Sequence, residues 1–250
     1  MKKIALAQMN VEYGNMQKNI AVAKQLINSA IDQKSDLVLL PELWSTGFDY
    51  HHLDAYADQN VLLITDLQEL SDQSEITICG SFIVKQGTHL FNSFYTLQPK
   101  KPVTHYYKNH LFSMMHEDKY FTAGEGSISF SSPLGQTGMS ICYDLRFPEL
   151  FLDLRRQGAE CFLMSAHWPL VRLAHWDILL QARAIENQAY MIAVNSVGQS
   201  GKDVYGGHSA IIAPDGEIIL RAPTDEEGLF IVEIDPVKVK NLREKFVIHR

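Results

Sequence analysis

The sequence predicts an α/β fold in which two sheets pack face to face and helices cover their outer sides. Buried-strand patterns alternate with helical ones in both halves of the chain, which argues for α/β. Two strand pairs joined by short turns do not fit a single sheet covered by helices on both faces, so two sheets are expected. No Pro/Gly-rich linker, fixed-period repeat or low-complexity stretch divides the 250 residues, and one domain over 1–250 follows. A chain of this length can bury a full core without metals or disulfides.

The elements follow in order. Ile4 to Val11 is apolar enough for a buried strand, and Ile20, Ala23, Ile27, Ala30 and Ile31 then recur at helical spacing. Leu37-Val38-Leu39-Leu40 is a second strand, stopped by Pro41 just before Glu42. A helix over Val61 to Leu70 precedes the strand Ile76 to Cys79, and Ser81–Lys85 with Leu90–Leu97 form a hairpin around Gln86-Gly87-Thr88. Val103 to Tyr107 is a tyrosine-rich strand. The second half repeats the alternation: strand Thr137–Ile141, helix Pro148–Arg156, strand Cys161–Ser165, helix Val171–Gln188, strand Tyr190–Val194. Ser209–Ala213 and Glu217–Leu220 flank the turn Pro214-Asp215-Gly216, Leu229–Ile234 is a last strand, and Asp235-Pro236 opens a terminal helix carrying Val237, Val239 and Leu242.

Composition narrows the function. A net charge of −7 with scattered basic residues gives no reason to expect a nucleic-acid partner. No apolar run is long enough to span a bilayer, and Gln8, Asn10 and Glu12 interrupt the N-terminal apolar stretch before it can act as a secretion signal, so cytoplasmic residence is expected. Cys79, Cys142 and Cys161 form no Cys-x-x-Cys pair, and an odd number cannot all pair in one chain, which suits reduced thiols.

Three residues stand where chemistry is possible. Cys142 ends the strand that begins at Thr137 and precedes a turn into a helix, a placement that holds a side chain at a cleft on fixed backbone. Cys79 and Cys161 sit inside apolar strand runs and read as core. Glu42 lies at the tip of a core strand, where a carboxylate is costly unless a cation or donors satisfy it. Lys108 follows the tyrosine-rich strand, and an ammonium near a nucleophile favours thiolate and an anionic intermediate. Each also has a structural alternative: a buried apolar thiol, a carboxylate paired with an arginine, an exposed lysine stem over aromatics.

Taken together, the blocks Leu39-Leu40-Pro41-Glu42, Tyr107-Lys108-Asn109-His110-Leu111-Phe112 and Ile141-Cys142-Tyr143-Asp144-Leu145-Arg146-Phe147-Pro148-Glu149 resemble the carbon-nitrogen hydrolase, or nitrilase, superfamily over nearly the full length. Trp168-Pro169, Arg183 to Gln188 and Tyr205 to Ser209 extend the resemblance. It implies a four-layer α-β-β-α sandwich that associates as a homodimer. It also implies that Glu42 is general base, Cys142 the nucleophile that forms a thioester, and Lys108 the stabiliser of the carbonyl oxygen, with the Tyr143 backbone N–H as second oxyanion donor. Glu117 matches the family's second glutamate, positioned to accept a hydrogen bond from Lys108. This chemistry requires no metal or organic cofactor.

The segment Met115 to Gly124 resembles the ω-amidase subgroup, which implies small α-keto acid amides, 2-oxoglutaramate and 2-oxosuccinamate, as substrates. Such an activity would clear the keto-amide left by glutamine-dependent transamination, including that of methionine salvage. Trp44, Phe48, Tyr143, His167 and Trp168 are candidates for the pocket wall, and Arg172 or His208 for a distal carboxylate. Arg146 is expected to brace the nucleophile turn through a carboxylate pair, and Trp176 and Arg183–Gln188 to serve packing. A nitrilase or carbamoylase would use the same residues, and a catalytically silent interaction subunit is the alternative of a different class. Gly124-Glu125-Gly126 and Gly198-Gln199-Ser200-Gly201 lack the nucleotide-binding fingerprint and read as turns. His105, His110 and His116 are not put on a common face by their spacing, so no metal site is expected.

Overall fold

A computed structural model describes residues 1–248. The first half runs β1 (Lys2–Gln8), α1 (Met16–Asp32), β2 (Leu37–Leu39), α2 (Leu53–Ser74), β3 (Thr77–Gln86), β4 (His89–Leu97), β5 (Thr104–Tyr107) and the single turn α3 (Glu117–Tyr120). The second runs β6 (Ser129–Ser132), β7 (Gly135–Ile141), α4 (Pro148–Arg156), β8 (Cys161–Ala166), α5 (Leu173–Asn187), β9 (Tyr190–Asn195), β10 (Val197–Ser200), β11 (Asp203–Gly206), β12 (Ala210–Ile212), β13 (Ile218–Arg221), β14 (Gly228–Ile234) and α6 (Val237–Lys245).

Two six-stranded mixed sheets result, ordered β14-β1-β2-β3-β4-β5 and β13-β12-β9-β8-β7-β6. Each has a parallel centre, β1-β2-β3 in one and β7-β8-β9 in the other, flanked by antiparallel strands. Parallel neighbours need a helical crossover, which α1, α2, α4 and α5 supply. Along β1 the side chains alternate as a strand requires: Ile4 and Leu6 enter the core shared with the second sheet, while Ala5 and Ala7 join the core under α1 and α2. Ala23, Ile27 and Ala30 of α1 and Leu63 and Leu67 of α2 complete that outer core. Leu150, Phe151, Trp176 and Leu180 of α4 and α5 cover the second sheet. The α/β two-sheet sandwich expected from the sequence is the fold observed.

The differences have local causes. The strands expected at Ile76–Cys79 and Ser81–Lys85 are one strand, β3, because Gly80 continues the ladder where a Cβ would lie 2.9 Å from Trp44 Nε1. α2 begins at Leu53, eight residues before the expected Val61, since its polar first turns bury Tyr56, Ala57 and Asn60. Asn60 donates to the Ile83 carbonyl and accepts from Ser45 Oγ, which turns a polar residue into an anchor. β6 and the β10–β11 hairpin carry no apolar alternation and are not read from the sequence; Gly198 to Ser200 lie in β10 rather than in a turn. Among the described residues no helix is long and apolar enough to cross a membrane.

Candidate active site

The carboxyl ends of the parallel strands of both sheets meet, the place where α/β sheets leave their crevices. β2 runs out through Leu40 and Pro41 into Glu42, and β8 runs out into His167. Ser165 Oγ donates to the Leu40 carbonyl (2.7 Å), and the Glu42 and His167 backbones are tied in turn. The His167 N–H reaches Glu42 Oε2 at 3.1 Å, and His167 Nδ1 lies 2.7 Å from the Glu42 carbonyl oxygen. The chain can turn so sharply only because Leu43 takes a left-handed conformation, φ 43°.

Glu42, Lys108 and Glu117 form one buried charged group, with side-chain exposures of 0%, 0% and 1%. Lys108 Nζ lies 2.7 Å from Glu42 Oε1 and 2.7 Å from Glu117 Oε1. Asn92, in the middle of β4, donates to Glu42 Oε1 (2.8 Å), and the Phe112 N–H donates to Glu117 Oε2 (3.3 Å). Two carboxylates thus share one ammonium. Burial, opposed by Lys108 and reinforced by Glu42, lifts the Glu117 carboxyl to about 7. For Lys108, burial works against the charge, but Glu117 and Glu42 outweigh it and hold the ammonium well above its ordinary value. Two of its three N–H donors are used on the carboxylates, leaving one for an oxyanion.

Cys142 opens a single helical turn, Cys142–Arg146, straight from β7, with φ 44°. A non-glycine residue in this region is strained, and such strain persists where the surroundings over-determine it. The surroundings here are Asp144 and Arg183. Asp144 Oδ2 accepts from the Ile141 N–H (2.9 Å) and the Tyr106 hydroxyl (2.9 Å), while its Oδ1 accepts from the His110 N–H (3.1 Å) and lies 2.7 Å from His110 Nδ1. Arg183 places Nε and Nη2 on the Leu145 carbonyl at 3.1 and 2.8 Å. Tyr106 and His110 bracket Lys108, so the cysteine turn and the lysine segment are locked to one another. Tyr143 is the second residue of the turn, and its N–H has no carbonyl partner inside that helix. Burial first, then Glu42, push the Cys142 thiol well up against the opposing pull of Lys108 and the His167 N–H.

The cysteine faces a chamber of only 20 Å³, space for about one water, lined by Phe48, Glu117, Cys142, Tyr143, His167, Trp168, Arg146 and Arg172 among others. It shares Phe48, Phe112, Met115, Pro169 and Arg172 with an outer vestibule of 610 Å³ that adds Tyr50, His116 and Lys202. Of the pocket candidates, Phe48, Tyr143, His167, Trp168 and Arg172 line the inner chamber. Two do not. Trp44 is fully buried in the core under α1 and α2, edge-on to Phe82 at 5.4 Å, because the loop after Glu42 folds back over Gly80. His208 lines neither chamber; its Nδ1 lies 3.1 Å from Asp177 on α5.

Arg146 also departs from expectation. Among the described residues it makes no carboxylate pair; its guanidinium lies over the Trp168 ring at 4.7 Å and over Tyr143 at 5.9 Å, and Arg146 lines the chamber. Arg172 lies over Phe112 at 5.6 Å, with Nη2 3.8 Å from Met114 Sδ. Among the described residues neither guanidinium has a carboxylate partner, so two cations face the space beyond the cysteine. Of the three histidines, His105 stacks on Tyr95, His110 on Phe147, and His116 lines the vestibule. Among the described residues no group of three or more His, Cys, Asp or Glu is placed to hold a metal ion. Asn92 and Arg183 are the functional residues that sequence reasoning missed or undervalued. An amide side chain between Phe91 and Phe94 in a strand rich in apolar and aromatic residues was the available signal for Asn92.

A family model described as "Carbon-nitrogen hydrolase" matches residues 3–244. The 2-oxoglutaramate amidase of Bacillus subtilis is 34% identical over 248 residues, 98% of this chain and 95% of that protein. The deaminated glutathione amidase of Dictyostelium discoideum is 34% identical over 271 aligned positions, 99% of this chain and 92% of that protein. Among solved structures, XC1258 of Xanthomonas campestris, a CN-hydrolase superfamily protein, superposes with a TM-score of 0.89 at 26% identity, covering 98% of this chain and 94% of that one.

Proposed function

The chain belongs to the carbon-nitrogen hydrolase family, and on that premise we propose that it is an ω-amidase, hydrolysing 2-oxoglutaramate or 2-oxosuccinamate to the keto acid and ammonia. Glu42 takes the thiol proton, Cys142 attacks the carboxamide carbon, and Lys108 with the Tyr143 N–H holds the oxygen as its charge grows. The protonated Glu42 then gives its proton to the leaving ammonia, and a water deprotonated by Glu42 opens the thioester. Glu117 orients Lys108. The upward push on the Cys142 thiol supports this order of events, since it favours attack that begins with proton transfer to a neighbouring base.

One observation carries the substrate assignment. Arg146 and Arg172 present two guanidinium groups without carboxylate partners to the chamber that holds Cys142, a match for an amide whose far end is a carboxylate. Removal of the keto-amide left by glutamine-dependent transamination, as in methionine salvage, is the role such an enzyme would fill. A second reading has its own support: the 610 Å³ vestibule, with Lys202 and His116 on its wall, exceeds what a short keto-amide needs, and a relative bears the name deaminated glutathione amidase. Ile178 and Ile185, exposed seven residues apart on α5, support the proposed homodimer, and three free cysteines suit the cytoplasm.

The deciding experiment measures ammonia release from 2-oxoglutaramate, 2-oxosuccinamate, deaminated glutathione, glutamine, asparagine and a small nitrile at matched concentrations. Fast release from the two keto-amides with little from the amino acids is expected. Preference for deaminated glutathione would favour the second reading, and preference for the nitrile would overturn both.

A further inference from the structure

Among the described residues, His167, which lines the inner chamber, carries a buried ring nitrogen with no hydrogen-bond partner, and its chemistry is fixed. His167 is 2% exposed and lines the chamber beside Cys142. Its Nδ1 lies 2.7 Å from the Glu42 carbonyl oxygen, which can only accept, so Nδ1 carries the proton and Nε2 presents a bare lone pair. Burial holds the imidazole down to about 4, which keeps it neutral. Nε2 is buried and unbonded among the described residues. The ring is held edge-on between Phe48 at 5.6 Å and Tyr205 at 4.4 Å, so it cannot swing to find a donor.

A buried, unbonded acceptor in a site calls for an explanation, and a donor arriving with a ligand is one. Among the described residues no protein donor reaches Nε2; the His167 N–H and Asn92 go to Glu42, and two N–H groups of Lys108 go to the carboxylates. We propose that His167 Nε2 accepts a hydrogen bond from the N–H of the substrate carboxamide, and so makes His167 the residue that selects an amide nitrogen over an ester oxygen or a nitrile. The inference rests on the reading of Cys142 as nucleophile, because only then does the amide nitrogen enter this chamber. Glu42 thereby sets the selectivity as well as the chemistry. Its backbone carbonyl fixes the tautomer that leaves the acceptor bare.

The test compares kcat/KM for a primary amide and for the p-nitrophenyl ester of the same acid. His167→Asn keeps a side-chain N–H for the Glu42 carbonyl and deletes the Nε2 acceptor; His167→Gln carries a polar group out to the Nε2 position. His167→Asn is expected to lose about tenfold or more on the amide and less than about threefold on the ester, with part of the loss recovered by His167→Gln. Equal losses on both substrates in the folded variant, or no loss on the amide, would overturn the inference while leaving the functional reading intact. A parent enzyme that is acylated by the ester but releases ammonia from no amide overturns both. Binding to Cys142→Ala gives an answer without altering His167: the amide should bind about tenfold tighter than the methyl ester, and equal affinities contradict the proposal.

Discussion

Two parts of the interior bury cysteines, and they treat the thiol in opposite ways. Cys79 in β3 and Cys161 in β8 sit in the core between the sheets, among Leu, Ile, Phe and Met side chains. Burial drives both thiols up, and no ammonium opposes it. Cys142 is buried too, but it faces the chamber and stands at the exit of β7, where Glu42 and Lys108 arrive from the other sheet. Enclosure alone silences a thiol. What separates the third cysteine is a proton acceptor and a cation sharing its enclosure, and these can be assembled only where strand ends of two sheets converge.

The contrast can be broken or sharpened by substitution. Cys142→Ala should abolish amide turnover, a fall on the order of 10⁴-fold or more in kcat, measured as ammonia release by folded protein. Lys108→Met should come next, because it leaves Glu42 and Glu117 buried without their cation: about 10²–10³-fold in kcat and about 3–5 kcal/mol in urea unfolding. Arg172→Met should raise KM for a keto-amide about 10- to 100-fold with a smaller effect on kcat, and should leave KM for an uncharged amide of similar size unchanged.

Stability against pH separates two members of the charged chamber. Glu117 is held up to about 7, so the folded state keeps a proton that the unfolded chain releases near its ordinary 4.5. Its contribution therefore falls as pH rises through that window, by a few kcal/mol in all, roughly. His167 is held down to about 4, so the unfolded chain binds a proton below 6.5 that the folded state refuses, and stability falls as pH drops from 6.5 toward 4. Urea midpoints of the parent should decline against Glu117→Gln, and rise against His167→Asn, as pH increases across these ranges. Slopes of the same sign would contradict the assignment. The smallest effect belongs to the other region: Cys79→Ala should leave kcat/KM unchanged and cost about 1 kcal/mol of stability.

The sequence was informative where chemistry depends on neighbours in the chain. Glu42, Lys108 and Cys142 each end or follow a strand that Val, Ile, Leu and Tyr runs make legible, and the two-sheet α/β reading came from the same runs. It was silent where a partner lies far away. Asn92 is 50 residues from Glu42 and Arg183 is 38 from Leu145, and no local pattern announces either bond. Trp44 was misplaced because an aromatic after a strand tip can face a pocket or fold back, and the glycine that lets it fold back, Gly80, is 36 positions on. His208 was misplaced for the same reason, since Asp177 captures it from another element. Arg146 was assigned to a carboxylate, but Asp144 is saturated by Ile141, Tyr106 and His110, which left the guanidinium to the Trp168 ring.

The central claim is that one of three buried thiols, the one that faces the chamber, becomes covalently attached to the substrate. Acid-quenching the parent within a single turnover on 2-oxoglutaramate and mapping the peptides by mass spectrometry tests it directly. An adduct equal in mass to the substrate less ammonia, confined to the peptide that contains Cys142, is the expected result. Ammonia release with no adduct at any quench time, or an adduct on Cys79 or Cys161, would contradict it.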